Sequence, residues 1–157
     1  ETERFNLYAL IEEVIGLLEI RAQEKNITLL FDKPIDLDEL WVLADRKRIS
    51  QVITNLVINS LKYGVSGGTT EVSIGVLSKQ KILVRIIDNG RGIEEEHIPR
   101  LFERFYRVDK ARNRDEGGSG LGLAIVKHLI EAHQEKIYVQ STFGVGSEFS
   151  FSLTKTK

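Results

Sequence analysis

Hydrophobic positions along this chain switch between helical and strand periods, and the switches divide it into elements. Leu7, Leu10, Ile11, Val14, Ile15, Leu17, Leu18 and Ala22 recur at helical spacing and predict an amphipathic helix over 7–24, after a short extended lead-in. Asn26 breaks that pattern. Ile27–Phe31 and Leu40–Ala44 read as strands separated by a largely polar loop, Lys33–Glu39, which contains Pro34. Asp45 is a suitable N-cap for a helix that reaches Tyr63, and Gly64–Thr70, rich in Gly, Ser and Thr, ends it. Glu71–Leu77 and Lys81–Asp88 predict a hairpin closed by Ser78, Lys79 and Gln80. A short amphipathic stretch, His97–Phe105, follows. From Tyr106 to Gly117 seven of twelve residues are charged and no period is visible, so a mobile segment is expected there. Gly118–Gly122 opens a last helix running to about His133, and Lys136–Gln140 and Ser147–Leu153 predict closing strands around a turn at Phe143–Gly146. With no internal repeat, this order predicts an α+β sandwich, a mixed sheet with helices on one face.

One helix carries more than packing information. At about 100° per residue, Arg48, Gln51, Asn55, Asn59 and Lys62 fall in a sector roughly 80° wide, while Ile49, Val52, Ile53, Leu56, Val57, Ile58 and Leu61 cover most of the rest. Asn is a poor helix former, and an unpartnered buried amide costs about 2 to 7 kcal/mol, so the stripe is expected to face a polar ligand. In the strand ending at Asp88, alternation puts Ile82, Val84, Ile86 and Asp88 on one face. A carboxylate only accepts hydrogen bonds, so a donor must meet it, and the exocyclic amine of a nucleobase would serve. Gly90 and Gly92 follow at once, removing side chains where a flat ligand could approach the backbone; a strand end with a glycine turn accounts for the same residues. Gly117–Leu123 is a glycine-rich loop directly before a helix, whose N-terminal N–H groups favour anions such as phosphates. It is neither a P-loop, which needs Gly-x-x-x-x-Gly-Lys-[Ser/Thr], nor a Rossmann turn, which follows a strand. Arg107, Lys110, Arg112 and Arg114 could equally form a solvated surface.

The 157 residues suit one domain, 1–157, with a real core. A hydrophobic content of 41%, a charged content of 29% and a net charge of -1 give no global attraction to nucleic acid or anionic membrane. The absence of cysteine excludes disulfides and thiolate metal sites and is compatible with a reducing cytoplasm. No apolar run approaches the roughly 18 residues of a membrane span, and no signal peptide opens the chain. Because it starts at Glu1 and contains no methionine, the chain is expected to be a trimmed piece of something longer. The sequon Asn26-Ile27-Thr28 carries no meaning without a secretory signal, and Asp88-Asn89-Gly90 lacks the His-Arg-Asp loop that would make it a protein-kinase motif.

Taken in order, these elements resemble the N, G1 and G2 boxes of the catalytic ATP-binding domain of sensor histidine kinases, in the wider group that includes gyrase, the large ATP-dependent heat-shock chaperone and MutL. Asn55-Leu-Val-Ile-Asn59-Ser-Leu-Lys62-Tyr63 matches the N box, Asp88–Ile93 the G1 box and Gly118–Leu123 the G2 box. Leu101–Asp109 resembles the F box that precedes the ATP lid, and Phe143–Phe149 the final glycine turn. The resemblance implies the Bergerat ATP-binding fold: a two-layer sandwich with a mixed, mostly antiparallel sheet and about three helices on one face. It also implies ATP and Mg²⁺ as cofactors. Asn55 and Asn59 would present amide oxygens to the metal, Lys62 and Tyr63 would reach the phosphates, and Asp88 would bond the adenine amino group. Gly90, Gly92 and Ile93 would border the base; Gly118, Ser119, Gly120, Leu121 and Gly122 would cradle the phosphates. Tyr106 would also contact the nucleotide, Arg107 would stabilise the γ-phosphate, and about 106–117 would form the lid.

No nucleophile stands among these residues. Where the gyrase and chaperone branch places a general-base glutamate, this chain has Asn55, and an amide cannot take a proton near neutral pH. Fast ATP hydrolysis is therefore not expected. The acceptor histidine of the family lies in a separate helical-hairpin domain, and no matching box occurs here. His97, His128 and His133 are expected to be structural or solvent-facing, since no i, i+4 metal pair accompanies them. One departure is that Gln134-Glu135 replaces the family's usual Gly-Gly after His133, which puts the local turn in doubt. The implied function is transfer of the ATP γ-phosphoryl group to a histidine of the dimerisation domain of the same protein, with Asn55, Lys62 and Arg107 as catalytic residues. A response regulator receiver domain would be a further partner, and the full-length protein would be a homodimer anchored in a bacterial inner membrane with this domain in the cytoplasm, touching neither nucleic acid nor membrane. Phe102, Phe105 and Tyr106 are candidates for docking to the dimerisation domain, although core packing explains Phe102 and Phe105 equally. The alternatives are a non-catalytic ATP-binding regulatory module, an ATPase, or an anti-sigma serine kinase of the same superfamily.

Overall fold

A computed structural model describes residues 1–34, 39–108 and 122–156. The elements run β1 (Glu3–Asn6), α1 (Leu7–Glu24), β2 (Thr28–Asp32), β3 (Trp41–Ala44), α2 (Arg46–Tyr63), β4 (Thr69–Val76), β5 (Lys81–Asp88), a 3₁₀ helix (Glu95–Arg100), α3 (Gly122–Ala132), β6 (Ile137–Thr142) and β7 (Gly146–Lys155). The strands form one sheet in the order β1-β3-β7-β5-β4-β2, with β6 also paired to β7. Only β2 and β4 run parallel among these pairs, as expected of a mixed, mostly antiparallel sheet.

Pleating separates the two faces of the sheet. Val72, Ile82, Val84, Ile86, Phe149, Phe151 and Leu153 share one face and are all buried, joined by the apolar stripes of α1 and α2 (Leu7, Leu10, Ile11, Val14; Ile49, Val52, Ile53, Leu56). The opposite face carries Glu71, Arg85 and Glu148, with Arg85 forked onto Glu148 at 2.9 and 3.1 Å. Two layers therefore suffice, because only one face of the sheet needs covering.

Local chemistry sets the helix ends. Asn6 caps α1 by accepting from the Tyr8 and Ala9 N–H groups, and Asp45 caps α2 by accepting from that of Arg48. At the far end of α1, Asn26 takes a left-handed conformation (φ 55), so that the N–H groups of Asn26 and Ile27 close onto the carbonyls of Gln23 and Ala22.

Three places add to what the sequence predicts. The extended lead-in is a true strand, β1, paired antiparallel with β3. The stretch expected to be amphipathic over His97–Phe105 is only a 3₁₀ helix ending at Arg100: Pro99 supplies no N–H, and Phe105 at φ 65 turns the chain. Third, the turn that Gln134-Glu135 put in doubt is formed. Gln134 adopts the left-handed conformation at φ 59 that a glycine would take without strain, and the N–H groups of Gln134 and Glu135 cap the carbonyls of Glu131 and Ile130. Glu135 offsets the strain. Its buried carboxylate accepts from Lys81 Nζ (2.7 Å), Ser152 Oγ (2.7 Å) and Thr154 Oγ1 (2.8 Å), tying the helix end to β5 and β7. Burial raises the pKa of Glu135, but these donors outweigh it and leave the carboxyl below its ordinary value. The network therefore contributes at neutral pH and is lost as pH falls through that lowered value. In thermal denaturation at pH 7, Gln134→Gly is expected to stabilise the fold by about 1 kcal/mol through relief of the left-handed strain, and Glu135→Ala to destabilise it by about 2 kcal/mol through its stranded donors.

Candidate functional site

Helix α2 lies against the sheet so that Ile49, Val52, Ile53, Leu56, Val57, Ser60 and Leu61 are buried, while Asn55, Asn59 and Lys62 of its polar stripe turn toward a cavity of about 470 Å³. That volume is in the range of small-molecule sites. Asn55, Asn59, Lys62 and Tyr63 line it from α2, Asp88 from the end of β5, Gly92 and Ile93 from the following loop, Tyr106 and Arg107 from beyond the 3₁₀ helix, and Gly122 from the start of α3. Among the described residues neither asparagine amide has a hydrogen-bond partner, and both are half-buried. Ile58, Leu101, Val108, Leu123 and Phe149 supply apolar wall, so the cavity joins a greasy side to a polar one.

Asp88 is tied in more firmly than alternation alone suggests. Ser60 Oγ donates to its Oδ2 at 3.1 Å, and the N–H groups of Gly90 and Ser147 donate to Oδ1 at 2.9 and 3.3 Å. Ser60 in turn lies 2.8 Å from Thr70 Oγ1, and Thr70 and Ser147 are the register partners of Asp88 on β4 and β7. Burial nevertheless dominates and raises the carboxyl pKa, with the three donors opposing it.

The two glycines after Asp88 serve packing as well as access. A Cβ on Gly92, at φ 73, would collide with the Thr142 carbonyl, so the loop can lie against the β6–β7 turn only as glycine. Gly90 does not line the cavity; a Cβ there would lie 2.7 Å from the Tyr63 carbonyl, and its backbone instead brings the loop against the end of α2. Phe102 packs edge-on against Phe149 at 6.2 Å, whereas Phe105 is 62% exposed. Tyr106 hydrogen-bonds His97 Nδ1, which gives that histidine a structural role. His133 is structural too: its Nδ1 faces the Leu129 carbonyl at 2.8 Å, and its Nε2 accepts from the Asp45 N–H at 3.1 Å. Gly118, Ser119, Gly120 and Leu121, and the lid from 109 to 117, lie outside the described residues.

Several residues that build the site have no expected role. Ser60, within the N-box segment, and Thr70 look in sequence like ordinary polar interruptions; the packing of α2 on the sheet brings Ser60 to Asp88, and the pairing of β4 with β5 brings Thr70 there. Ser147 was legible only as part of a glycine turn, and Arg21, from the last turn of α1, gives no sequence signal of belonging to the site.

Residues 44–157 match the family of histidine kinase-, DNA gyrase B- and HSP90-like ATPases. The chain belongs to this family. Within it, the chain is 42% identical to the sensor histidine kinase WalK of Bacillus subtilis over 116 residues, 73% of the chain and 19% of that protein. It is 39% identical to the signal transduction histidine-protein kinase BaeS of Escherichia coli over 140 residues, 88% of the chain and 29% of that protein. The chain thus spans less than a third of the length of these two kinases. In structure it resembles the catalytic domain of the histidine kinase ThkA, with a TM-score of 0.82 at 32% identity, covering 100% of this chain and 99% of that one. ThkA is also known in complex with the response regulator protein TrrA, a likeness at TM-score 0.79 and 31% identity that covers 99% of this chain and 42% of that one. Fold and family agree: this is an ATP-binding domain of the sensor histidine kinase type. Among the described residues no helix is long and apolar enough to cross a membrane.

The raised pKa of Asp88 makes the site costly to the empty fold. A group whose pKa rises on folding favours the native state while protonated, and that contribution is lost as pH rises through the folded value. Asp88→Asn, whose amide lets the Ser60 and Thr70 hydroxyls reverse their donation, is expected to melt higher than the parent at pH 7 in the absence of nucleotide. The gap should close at pH 3, as melting curves at the two pH values would reveal.

Proposed function

We propose that this chain is the catalytic domain of a two-component sensor histidine kinase, binding Mg-ATP and passing the γ-phosphoryl group to a histidine on a separate dimerisation domain. The observation that carries the reading is the one cavity that gathers two amides without a hydrogen-bond partner among the described residues, a half-buried carboxylate beside an apolar wall and the side chains of Lys62 and Arg107. Asp88, oriented by Ser60, Gly90 and Ser147, would accept from the adenine amino group, with Ile93, Leu101 and Phe149 against the ring. The donor set suits magnesium, a hard cation that takes oxygen ligands and keeps waters and phosphates in its shell. Bound to Asn55 and Asn59, the ion would neutralise phosphate charge and fix the phosphate oxygens.

Lys62 and Arg107 would hold the γ-phosphate and stabilise its charge as the bond to the leaving ADP breaks and a bond to the acceptor imidazole nitrogen forms. Tyr63 and Tyr106 would flank the phosphates. Gly118–Gly122 would add N–H donors, and 106–117 would act as the lid. Asn55 offers no base to activate water, which favours a nucleophile supplied from outside over hydrolysis. In this reading the acceptor histidine belongs to a dimerisation domain of the same longer protein, a homodimer anchored in the membrane. A receiver domain takes the phosphate next, as the pairing of ThkA with TrrA suggests. Phe105, exposed beside the site, would dock to the dimerisation domain.

Phosphate transfer tests this. The chain, mixed with labelled Mg-ATP and the helical-hairpin domain of its own full-length protein, is expected to place acid-labile label on the hairpin histidine. Mg-ATP binding without any such label would contradict the kinase reading and leave a nucleotide-dependent regulatory module.

A further inference from the structure

Arg21 stands on α1, outside every motif that marks the site, yet it lines the main cavity together with Asn55, Asn59, Lys62 and Arg107. It also lines a second, smaller cleft that shares Ile58 and Lys62 with the first and adds Glu24, Lys25 and Leu61. Arg21 and Lys62 therefore border the same two hollows, at the seam where α1 packs on α2. The side chain is exposed and no carboxylate of the described residues pairs with it, although Glu24 lies one turn further along the helix. With Arg21 included, three cations line the main cavity against one acid, Asp88, among the described residues. That imbalance is suited to a polyanion, and the acid sits with the apolar wall.

We propose that Arg21 is a phosphate-binding side chain that discriminates the triphosphate from shorter or uncharged nucleotides. The inference rests on the nucleotide reading given above. A guanidinium presents a planar fork of N–H donors that fits two phosphate oxygens at once. Its place beside Lys62 puts it with the phosphate-facing side chains of α2, away from the Asp88 wall. Because it is carried by α1, its engagement also ties that helix to the bound ligand, so that α1 and α2 are clamped across their seam when the phosphates are in place.

The experiment is isothermal titration of this chain and of its Arg21→Gln and Arg21→Lys variants with Mg-ATP, Mg-ADP and adenosine. Arg21→Gln is expected to weaken Mg-ATP binding about tenfold, the scale of one charge-assisted contact, to weaken Mg-ADP less, and to leave adenosine unchanged; Arg21→Lys should recover part of the loss. Equal weakening for all three ligands would mean that Arg21 only supports the fold, and no weakening for Mg-ATP would mean that it does not reach the phosphates; either result overturns the inference and leaves the nucleotide site standing. A parent chain that binds none of the three would overturn the nucleotide reading itself, and this inference with it.

Discussion

Ser60 hydrogen-bonds Asp88, and that contact joins the two elements on which the site depends. It locks the rotation of α2 over the sheet: with Ser60 facing the carboxylate, Asn55 and Asn59 must face the cavity, and Ile49, Val52, Ile53 and Leu56 must face the core. The register of β4, β5 and β7 supports this bond by setting Thr70, which bonds Ser60, and Ser147, whose N–H bonds Asp88, on either side of the carboxylate. Since the carboxylate is desolvated and its pKa raised even with three donors, the arrangement costs stability that the apolar core must offset. Strain of this kind, retained where packing alone would remove it, is common at functional sites.

Much of the fold was legible because each element states its period clearly. Helix α1 matched its expected bounds, Asp45 and Gly64 bracket α2 as their chemistry suggested, and β5 runs from Lys81 to Asp88 as read. Strand β1 was not legible as a strand, since four residues carry too little pattern and its pairing with β3 is a tertiary fact. The amphipathic stretch His97–Phe105 gives no indication of how it is folded: Pro99 and the left-handed Phe105 limit it to a 3₁₀ helix ending at Arg100, and the packing of Leu101 and Phe102 holds it in place.

Of the site, the residues within recognisable boxes could be read, and the structure brings Asn55, Asn59, Lys62, Tyr63, Asp88, Gly92, Ile93, Tyr106, Arg107 and Gly122 around one cavity. The rest has no local signature: Thr70 and Arg21 lie outside the boxes, Ser60 lies inside one with no role of its own, and all three reach the site through strand register and helix packing. Gly90 shows the converse, a motif residue whose absent side chain admits neighbouring backbone. The substitution of Gln134-Glu135 for a glycine pair is compensated locally by the buried Glu135 network and does not touch the site.

If the polar stripe of α2 is the metal and phosphate side of the ATP site, as proposed, with Asn59 a magnesium ligand, then the affinity for ATP must depend on Mg²⁺ through Asn59. ATP is titrated into the chain and its Asn59→Ala variant, each with and without Mg²⁺. Mg²⁺ is expected to tighten binding to the parent chain and to have little effect on the variant; an equal tightening in both would show that Asn59 is not a magnesium ligand.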